Sequence, residues 1–466
     1  MALDIVLVAG VLLSVLVHLL LRRRLQSIRR LPLLSWSSGH PNPRLAAADR
    51  LAVRYGPIMY LKMGTGGSWS PPPPGLDLQF ANRPFAISRK DVTYDCQNFV
   101  FANYGPRWKL LRKLFNLHFL GSKALADWAP IRRDEIGCVL RSMLESSRNS
   151  RPVEVSEALV CANANIIGQV MLSRRVFESQ GEESNQFKDA ITELLTWSGK
   201  FNIGDFVPAI AWMDLQGVQR HMRQLHFKID SMITALLAEH EATAHERKGR
   251  PDVVDLVMAN RVDADGVSLS DVNIKAFISD MFIAGTDTSS VIIEWALAEM
   301  LRNPTILRRA QDEMDGVIGK TRRLEESDIP NLPFLRAISK EVDGYYIPKD
   351  TRLLVNIWAI GRDPNVWEDP LEFKPERFLS GRNAYIEPLG HDFVLIPFGA
   401  GRRICVGHAG LLMVQYVLGT LVHSFNWKLV DDIQVLDMEE KFGLVLPKKV
   451  SLKAIVSPRL VGSAYM

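Results

Sequence analysis

The sequence predicts a mainly α-helical fold with small β-sheets, carried behind an amino-terminal transmembrane anchor. Three observations predict it: a near-continuous apolar stretch at the amino terminus, helical periodicity through most segments from residue 106 to 302, and a change of texture beyond residue 343 into short strands and turns. The chain has 466 residues, 47% of them hydrophobic and 23% charged, which is globular composition and excludes extended disorder. A net charge of +4 from 56 basic and 52 acidic side chains is too mild for a nucleic-acid binder. The cysteines, Cys96, Cys138, Cys161 and Cys405, form no C-x-x-C pair, so neither a disulfide scaffold nor structural zinc is expected.

Residues 3–21 are apolar apart from Asp4, Ser14 and His18, and at about 1.5 Å per residue they span roughly 28 Å, one hydrocarbon thickness. Arg22, Arg23 and Arg24 follow, then Arg29 and Arg30, which place the bulk of the chain on the cytosolic side. A cleaved signal peptide is the alternative. The absence of a basic n-region, the length of the run and the lack of a small-x-small site after the arginines favour a retained anchor. The division expected is an anchor over 1–24, a basic and proline-rich connecting region over 25–75, and the main folded domain over 76–466.

After the anchor, a loop leads to a short helix over 43–55. Residues 63–77 carry Pro71 to Pro74 in a row and read as a linker where strands would be expected. Helices are expected over 106–120, 124–147, 154–173, 184–198, 219–247 and 251–260. Residues 345–363 read as turn, strand and short helix, and 363–404 as an irregular stretch rich in Pro, Gly and Arg. A last helix over about 408–424 precedes two strand-like segments. Two nucleotide-loop look-alikes fail: Met314 stands where a phosphate loop ending at Gly319 needs glycine, and Trp69 where a dinucleotide fingerprint begun by Gly64 and Gly66 needs its third.

Two segments carry chemistry. A helix from about Ser270 to Arg302, with a serine cap and Asn303-Pro304 at its end, has flanks apolar nearly all round and should be buried. Its centre, Ala284-Gly285-Thr286-Asp287-Thr288-Ser289-Ser290, holds four hydroxyls and an acid among poor helix formers. Such a conflict marks a functional site, or a kink whose hydroxyls bond back to the preceding turn. The second segment is Phe398-Gly399-Ala400-Gly401-Arg402-Arg403-Ile404-Cys405-Val406-Gly407, before the last long helix. Its glycines let backbone approach something flat, and a cysteine opening a helix sits where the dipole and nearby arginines favour its thiolate. A lone cysteine is usually an inert thiol, but the F-x-x-G-x-R-x-C-x-G spacing reverses that.

These residues resemble the cytochrome P-450 monooxygenases. Residues 398–407 look like the family's haem-binding loop, and Ala284 to Thr288 like its oxygen-activating stretch. Trp108 and Arg112 resemble its W-x-x-x-R, and Pro375-Glu376-Arg377-Phe378 its P-E-R-F element. Longer blocks, including GPRWKLLRKL and LLVNIWAIGRDPNVWEDPLEFKPERFLSGRN, look like the plant flavonoid B-ring hydroxylases. The resemblance implies a cytochrome P-450 fold binding haem b, with Cys405 as the iron ligand. Trp108, Arg112, Ala284, Gly285, Phe398, Gly401, Arg403 and Gly407 would lie around the cofactor. Asp287 and Thr288 would relay protons to dioxygen, the co-substrate, and a glycine-marked irregularity would open a groove for it. Electrons would come from NADPH through a separate NADPH–cytochrome reductase, steered by Lys109, Lys113 and Arg402 or indifferent to them if that face is merely solvated. The implied setting is the endoplasmic reticulum membrane with membrane lipid around the anchor, and the implied substrate a small aromatic flavonoid. Phe101 within 99–103, Phe201, Trp212, Ile283 and Leu444 are its candidate contacts, each equally explicable as core.

The sequence departs from the family where its E-x-x-R should lock to the P-E-R-F arginine. Glu341 is present, but Gly344 replaces the arginine and the following strand is missing. Arg377 is then expected to lack partners. His408-Ala409-Gly410 also replaces a longer stretch. A flavonoid B-ring hydroxylase, a haem monooxygenase acting on another small plant metabolite, and an inactive remnant all remain open readings.

Overall fold

The computed structural model describes residues 61–63, 66–69, 81–83, 85–177, 182–337, 352–353, 357–384, 386–388, 394–430 and 436–465. The anchor, most of the connecting region and Glu341 lie outside the described residues. Twelve α-helices are described: α1 Pro106–His118, α2 Ser122–Asp127, α3 Ala129–Arg148, α4 Val155–Leu172, α5 Glu182–Ser198, α6 Val218–Ala242, α7 Val253–Ala259, α8 Asp271–Arg302, α9 Pro304–Val317, α10 Pro333–Ala337, α11 Ile357–Ile360 and α12 Leu411–Ser424.

Local chemistry sets the boundaries. The helix expected over 124–147 divides at Trp128, because Pro130 enters the first turn of α3, where a missing N–H costs nothing. Helix α8 starts on a capping box: Ser270 accepts from the Asn273 amide, and the Asn273 side chain accepts from the Ser270 amide. It runs unbroken to Arg302, and Pro304 opens α9.

Two small sheets complete the fold. Strands β1 Leu61–Met63 and β2 Gly66–Trp69 pair antiparallel, and β4 Arg352–Leu353 joins β2 in parallel. Strands therefore do form inside the stretch expected to be only a linker. β2 ends at Trp69, before the prolines, so no ring enters the ladder. The second sheet is antiparallel, ordered β3 Val153–Glu154, β6 Lys453–Pro458, β5 Phe425–Leu429, with Trp427 opposite Val456.

The interior is divided in two. One apolar cluster joins α3, the start of α4, the second half of α8 (Ile293, Leu297, Met300), α9, α12 and the β5–β6 sheet. The other joins α1, the rest of α4, α5, α6, α7 and the first half of α8 (Ile274, Phe277, Met281). Ile293, Leu297 and Met300 are fully buried, each contributing about 1.5–3 kcal/mol relative to exposure. Helix α8 thus crosses both clusters, and its polar centre falls between them. Helices α4 and α8 are also long and apolar enough to cross a membrane, but both are mostly buried inside the protein.

Candidate haem-thiolate site

The cysteine loop closes on itself. The Cys405 amide donates to the Phe398 carbonyl at 2.8 Å and the Ile404 amide to Gly401 at 3.0 Å. Gly399 and Gly401 have φ of +71° and +70°, a region that side chains rarely enter. A Cβ on Gly407 would come within 3.3 Å of the Cys405 sulfur, so the glycine keeps that flank open. Cys405 is the exposed one of the four cysteines. The helix expected from about 408 starts at Leu411; a 3-10 turn over Val406–Gly410 intervenes between it and Cys405, with the glycines at 407 and 410 delaying the α-helix.

Two arginines tie this loop to the early part of the chain. Arg112, on α1, donates to the Ile404 carbonyl at 2.8 Å. Arg403 donates to Ala81 O at 2.6 Å and to Ala102 O, with its guanidinium 4.4 Å from the Trp108 ring centre. Arg402 reaches the Tyr104 hydroxyl at 3.5 Å. A third arginine, Arg83, was not legible from the motifs. It is exposed, yet the protein packed around it lowers its pKa, while the charge of Cys405 acts oppositely. Burial likewise lowers Arg112, again opposed by Cys405. Arg403 is pushed down to about 10, by burial first and then by repulsion from Arg83 and Arg112. Among the described residues, none of the three forms an ion pair with an acidic side chain. A cluster of cations around one accessible thiol suits a ligand that offers both a metal and carboxylates, so these residues fit haem b.

Trp108 packs beside this cluster. Its indole N–H donates to the Phe99 carbonyl at 3.2 Å, and its ring lies between Arg403 and the parallel Phe99 ring.

On α8, Ala284 and Thr288 are exposed although most of the flanking helix is buried, and Ile292, one turn on, is 47% exposed. These positions, four apart, form one open stripe. Helix α8 also touches the Val406–Gly410 turn. Gly285 points elsewhere: a Cβ there would meet Ile167 Cδ1 of α4 at 2.8 Å. Close helix packing therefore explains this glycine, and α8 runs unbroken through it. The Thr288 hydroxyl donates to the Ala284 carbonyl at 2.6 Å and that of Ser290 to Thr286 at 2.7 Å, the back-bonded arrangement. Asn163 of α4 donates to the Ser290 hydroxyl at 2.9 Å. Asp287 is buried, and burial raises its pKa to about 6 against the pull of Lys188 and Lys441.

Arg377 is not stripped of partners. It donates to the carbonyls of Lys374 (3.1 Å), Glu368 (2.9 Å), Asp369 (3.1 Å) and Glu372 (2.9 Å), so the loop before P-E-R-F winds around the guanidinium. Of the substrate candidates, Phe101 lies under Arg89, 5.1 Å from its ring centre, on a loop held by Asp280 of α8, and Ile283 follows on that helix. Leu444 and Phe201 gather at the end of α5. The Leu444 amide donates to Leu195 O at 2.9 Å and Leu444 is 54% exposed, while Phe201 stacks on Phe206. Trp212 is 82% exposed. Asp280 and Asn98 are further buried polar residues the motifs passed over; the signal was one acid inside the apolar stretch AFISDMFIA.

Comparison with known proteins agrees with this arrangement. A family model described as Cytochrome P450 matches residues 75–342 and 341–453, two segments that meet where the sequence departs from the E-x-x-R pattern. The chain is 55% identical to a flavonoid 3',5'-hydroxylase of Solanum melongena over 94% of this chain and 90% of that protein. It is 56% identical to flavonoid 3',5'-hydroxylase 2 of Petunia hybrida over 89% and 88%. A flavonoid 3'-monooxygenase of Petunia hybrida is 40% identical over 91% of this chain and 90% of its own length. A solved zebra fish cytochrome P450 structure with progesterone superposes with a TM-score of 0.72 at 23% identity, over 90% of this chain and all of that one.

Proposed function

The chain belongs to the cytochrome P450 family and is a monooxygenase by that relationship; from this premise we propose that it hydroxylates the B-ring of a flavonoid. One oxygen atom of O2 enters an aromatic C–H bond and the other leaves as water, with NADPH supplying two electrons through a separate membrane-bound reductase. The observation that carries the chemistry is the exposed Cys405 flanked by Gly407 and by Arg83, Arg112 and Arg403, which form no ion pair among the described residues. Relatedness over nearly the whole chain to flavonoid 3',5'-hydroxylases supports the substrate class.

Haem, when bound, supplies the activation of dioxygen. Cys405 would hold its iron, and Arg112 and Arg403 its carboxylates, inside a setting where charge-assisted bonds are strong. Phe398, Gly401 and Gly407 shape the loop that presents the sulfur. Ala284 and Thr288 form the open stripe on the opposite wall. Asp287, with a pKa near 6, holds and releases a proton at its carboxyl close to neutral pH. Thr288 passes that proton on once its hydroxyl turns from the Ala284 carbonyl. Phe101, Ile283, Phe201 and Leu444 border the substrate, and residues 3–21 anchor the chain to the endoplasmic reticulum.

The test is the carbon monoxide difference spectrum of the reduced protein in membranes, followed by turnover of naringenin with added reductase. A strongly red-shifted Soret band and B-ring hydroxylated product are expected. A band at the ordinary haem position, or none, would mean that the loss beside Glu341 has left an inactive relative. A red-shifted band without flavonoid product would move the substrate to another small plant metabolite.

A further inference from the structure

Asp280 stands in the buried first half of α8, 7% exposed, and forms no ion pair among the described residues. Its carboxylate accepts from the Asn98 side-chain amide at 2.8 Å and from the Val100 backbone amide at 3.1 Å, and the Phe99 amide contributes too. Asn98 passes the constraint on, since its Oδ1 accepts from the Phe101 amide at 3.2 Å and its backbone carbonyl from the Ala102 amide at 3.0 Å. With donors on one side and an acceptor needed on the other, only one orientation of the Asn98 amide fits. The far end of this loop meets the cofactor side: Phe99 O receives the Trp108 indole, and Ala102 O receives Arg403.

We infer that Asp280 is a positioning residue: its carboxylate fastens loop 98–102 to the central helix and so fixes Phe101 against the substrate and Phe99 and Ala102 against the arginine cluster. This rests on reading the site as a flavonoid monooxygenase. A buried acid with three hydrogen-bond donors and no countercharge is costly as a structural prop, because an apolar side chain would fill the same space without desolvation. Its value lies in directing three donors of one loop at once.

Burial raises Asp280 to about 7, with the Asn98, Val100 and Phe99 donors opposing. The ionisable groups nearby are Tyr94, whose hydroxyl feels Asp280 and bonds Asp230 of α6 at 2.8 Å; Lys275 of α8, paired with the same Asp230; and His226, stacked edge-on against Tyr94. Protonation removes acceptor capacity from the carboxyl, so the loop is fastened above this range and loosened below it.

The experiment compares the wild type with Asp280→Asn in the full membrane-bound chain. In the variant, naringenin binding measured by the haem absorbance shift weakens about tenfold, the loss of one charge-assisted hydrogen bond. KM rises by a similar factor and kcat stays within about twofold. The wild-type dissociation constant falls as pH rises from 6 to 8, whereas that of the variant stays flat. Equal affinity and an unchanged pH profile in the variant would overturn the inference. So would loss of the red-shifted carbon monoxide band in Asp280→Asn, which would make the residue a core requirement. If the wild type shows no thiolate band or no flavonoid shift, the functional reading has failed instead. Amide hydrogen exchange then decides separately: residues 99–101 exchange about tenfold faster in the variant if the clamp exists, and equally if it does not.

Discussion

Substituting Gly285 distinguishes a packing glycine from one that shapes the reaction chamber. The Cβ of Gly285→Ala would lie 2.8 Å from Ile167 Cδ1, about 1 Å inside an ordinary carbon contact, while the next atom, Ile167 Cγ1, is at an ordinary 3.6 Å. Overpacking of this kind costs about 1–3 kcal/mol, and replacing glycine by alanine within a helix returns about 1 kcal/mol, leaving a net loss of about 0–2 kcal/mol. Ile167→Val alone costs about 0.5–1.5 kcal/mol but removes the one clashing atom. The double variant should therefore be more stable than the two single effects added together, by about 1–3 kcal/mol. Thermal denaturation midpoints of the four proteins in the same detergent, with carbon monoxide spectra alongside, measure this coupling. Additive effects would refute the packing account. So would a double variant that regains stability but not the spectral band, because the glycine would then serve the chamber.

Two further outcomes follow from the site. Arg377→Ala removes the donor from four carbonyls, which water can largely reach, and should destabilise the loop over 368–374 by about 1–2 kcal/mol; Arg377→Lys should not rescue it fully, since an ammonium cannot reach a ring of acceptors as a planar fork does. Proteolysis rates read this, and equal rates for Lys and wild type would count against it. Asp287, raised by burial from the ordinary 3.8 to about 6, stays protonated in the folded chain where the unfolded chain has ionised. Its stabilising contribution is therefore complete below about pH 4, declines as pH rises through about 6 and is gone above. Asp287→Asn should remove that slope from a plot of denaturation midpoint against pH. Lys441→Met, which deletes an opposing charge, should carry the decline to higher pH, and an unshifted curve would exclude that coupling.

The helical frame was legible because α1, α4, α6 and α8 keep their apolar faces at helical spacing, and Ser270 and Pro304 bracket α8 with strong local signals. The cysteine loop was legible because its glycines and arginines stand at fixed offsets. What escaped is tertiary in origin. Gly285 reads as an irregularity in isolation, and only the neighbouring Ile167 explains it. Arg377 seemed bereft because side-chain partners were sought, whereas its partners are carbonyls, which have no sequence signature. Trp108 turned its N–H to Phe99, a choice made by a loop conformation that periodicity does not encode. Asp280 was visible as a lone acid in an apolar flank, but its purpose depends on a loop about 180 residues away, at Asn98 and Val100.

The contact between Arg112 and Ile404 joins residues 292 apart, and that between Arg403 and Ala81 joins residues 322 apart. At about 5–20 residues per second, the ribosome takes roughly 15–60 s to travel from one side of the site to the other. During that interval Arg83 and Arg112 already exist, crowded and uncompensated, while the sulfur that completes the site has yet to be made. A haem held as proposed above can therefore be seated only after both sides of the site have been made. A chain terminated just short of Arg403 would keep Arg83 and Arg112 but lose both the third arginine and the sulfur proposed to hold the iron.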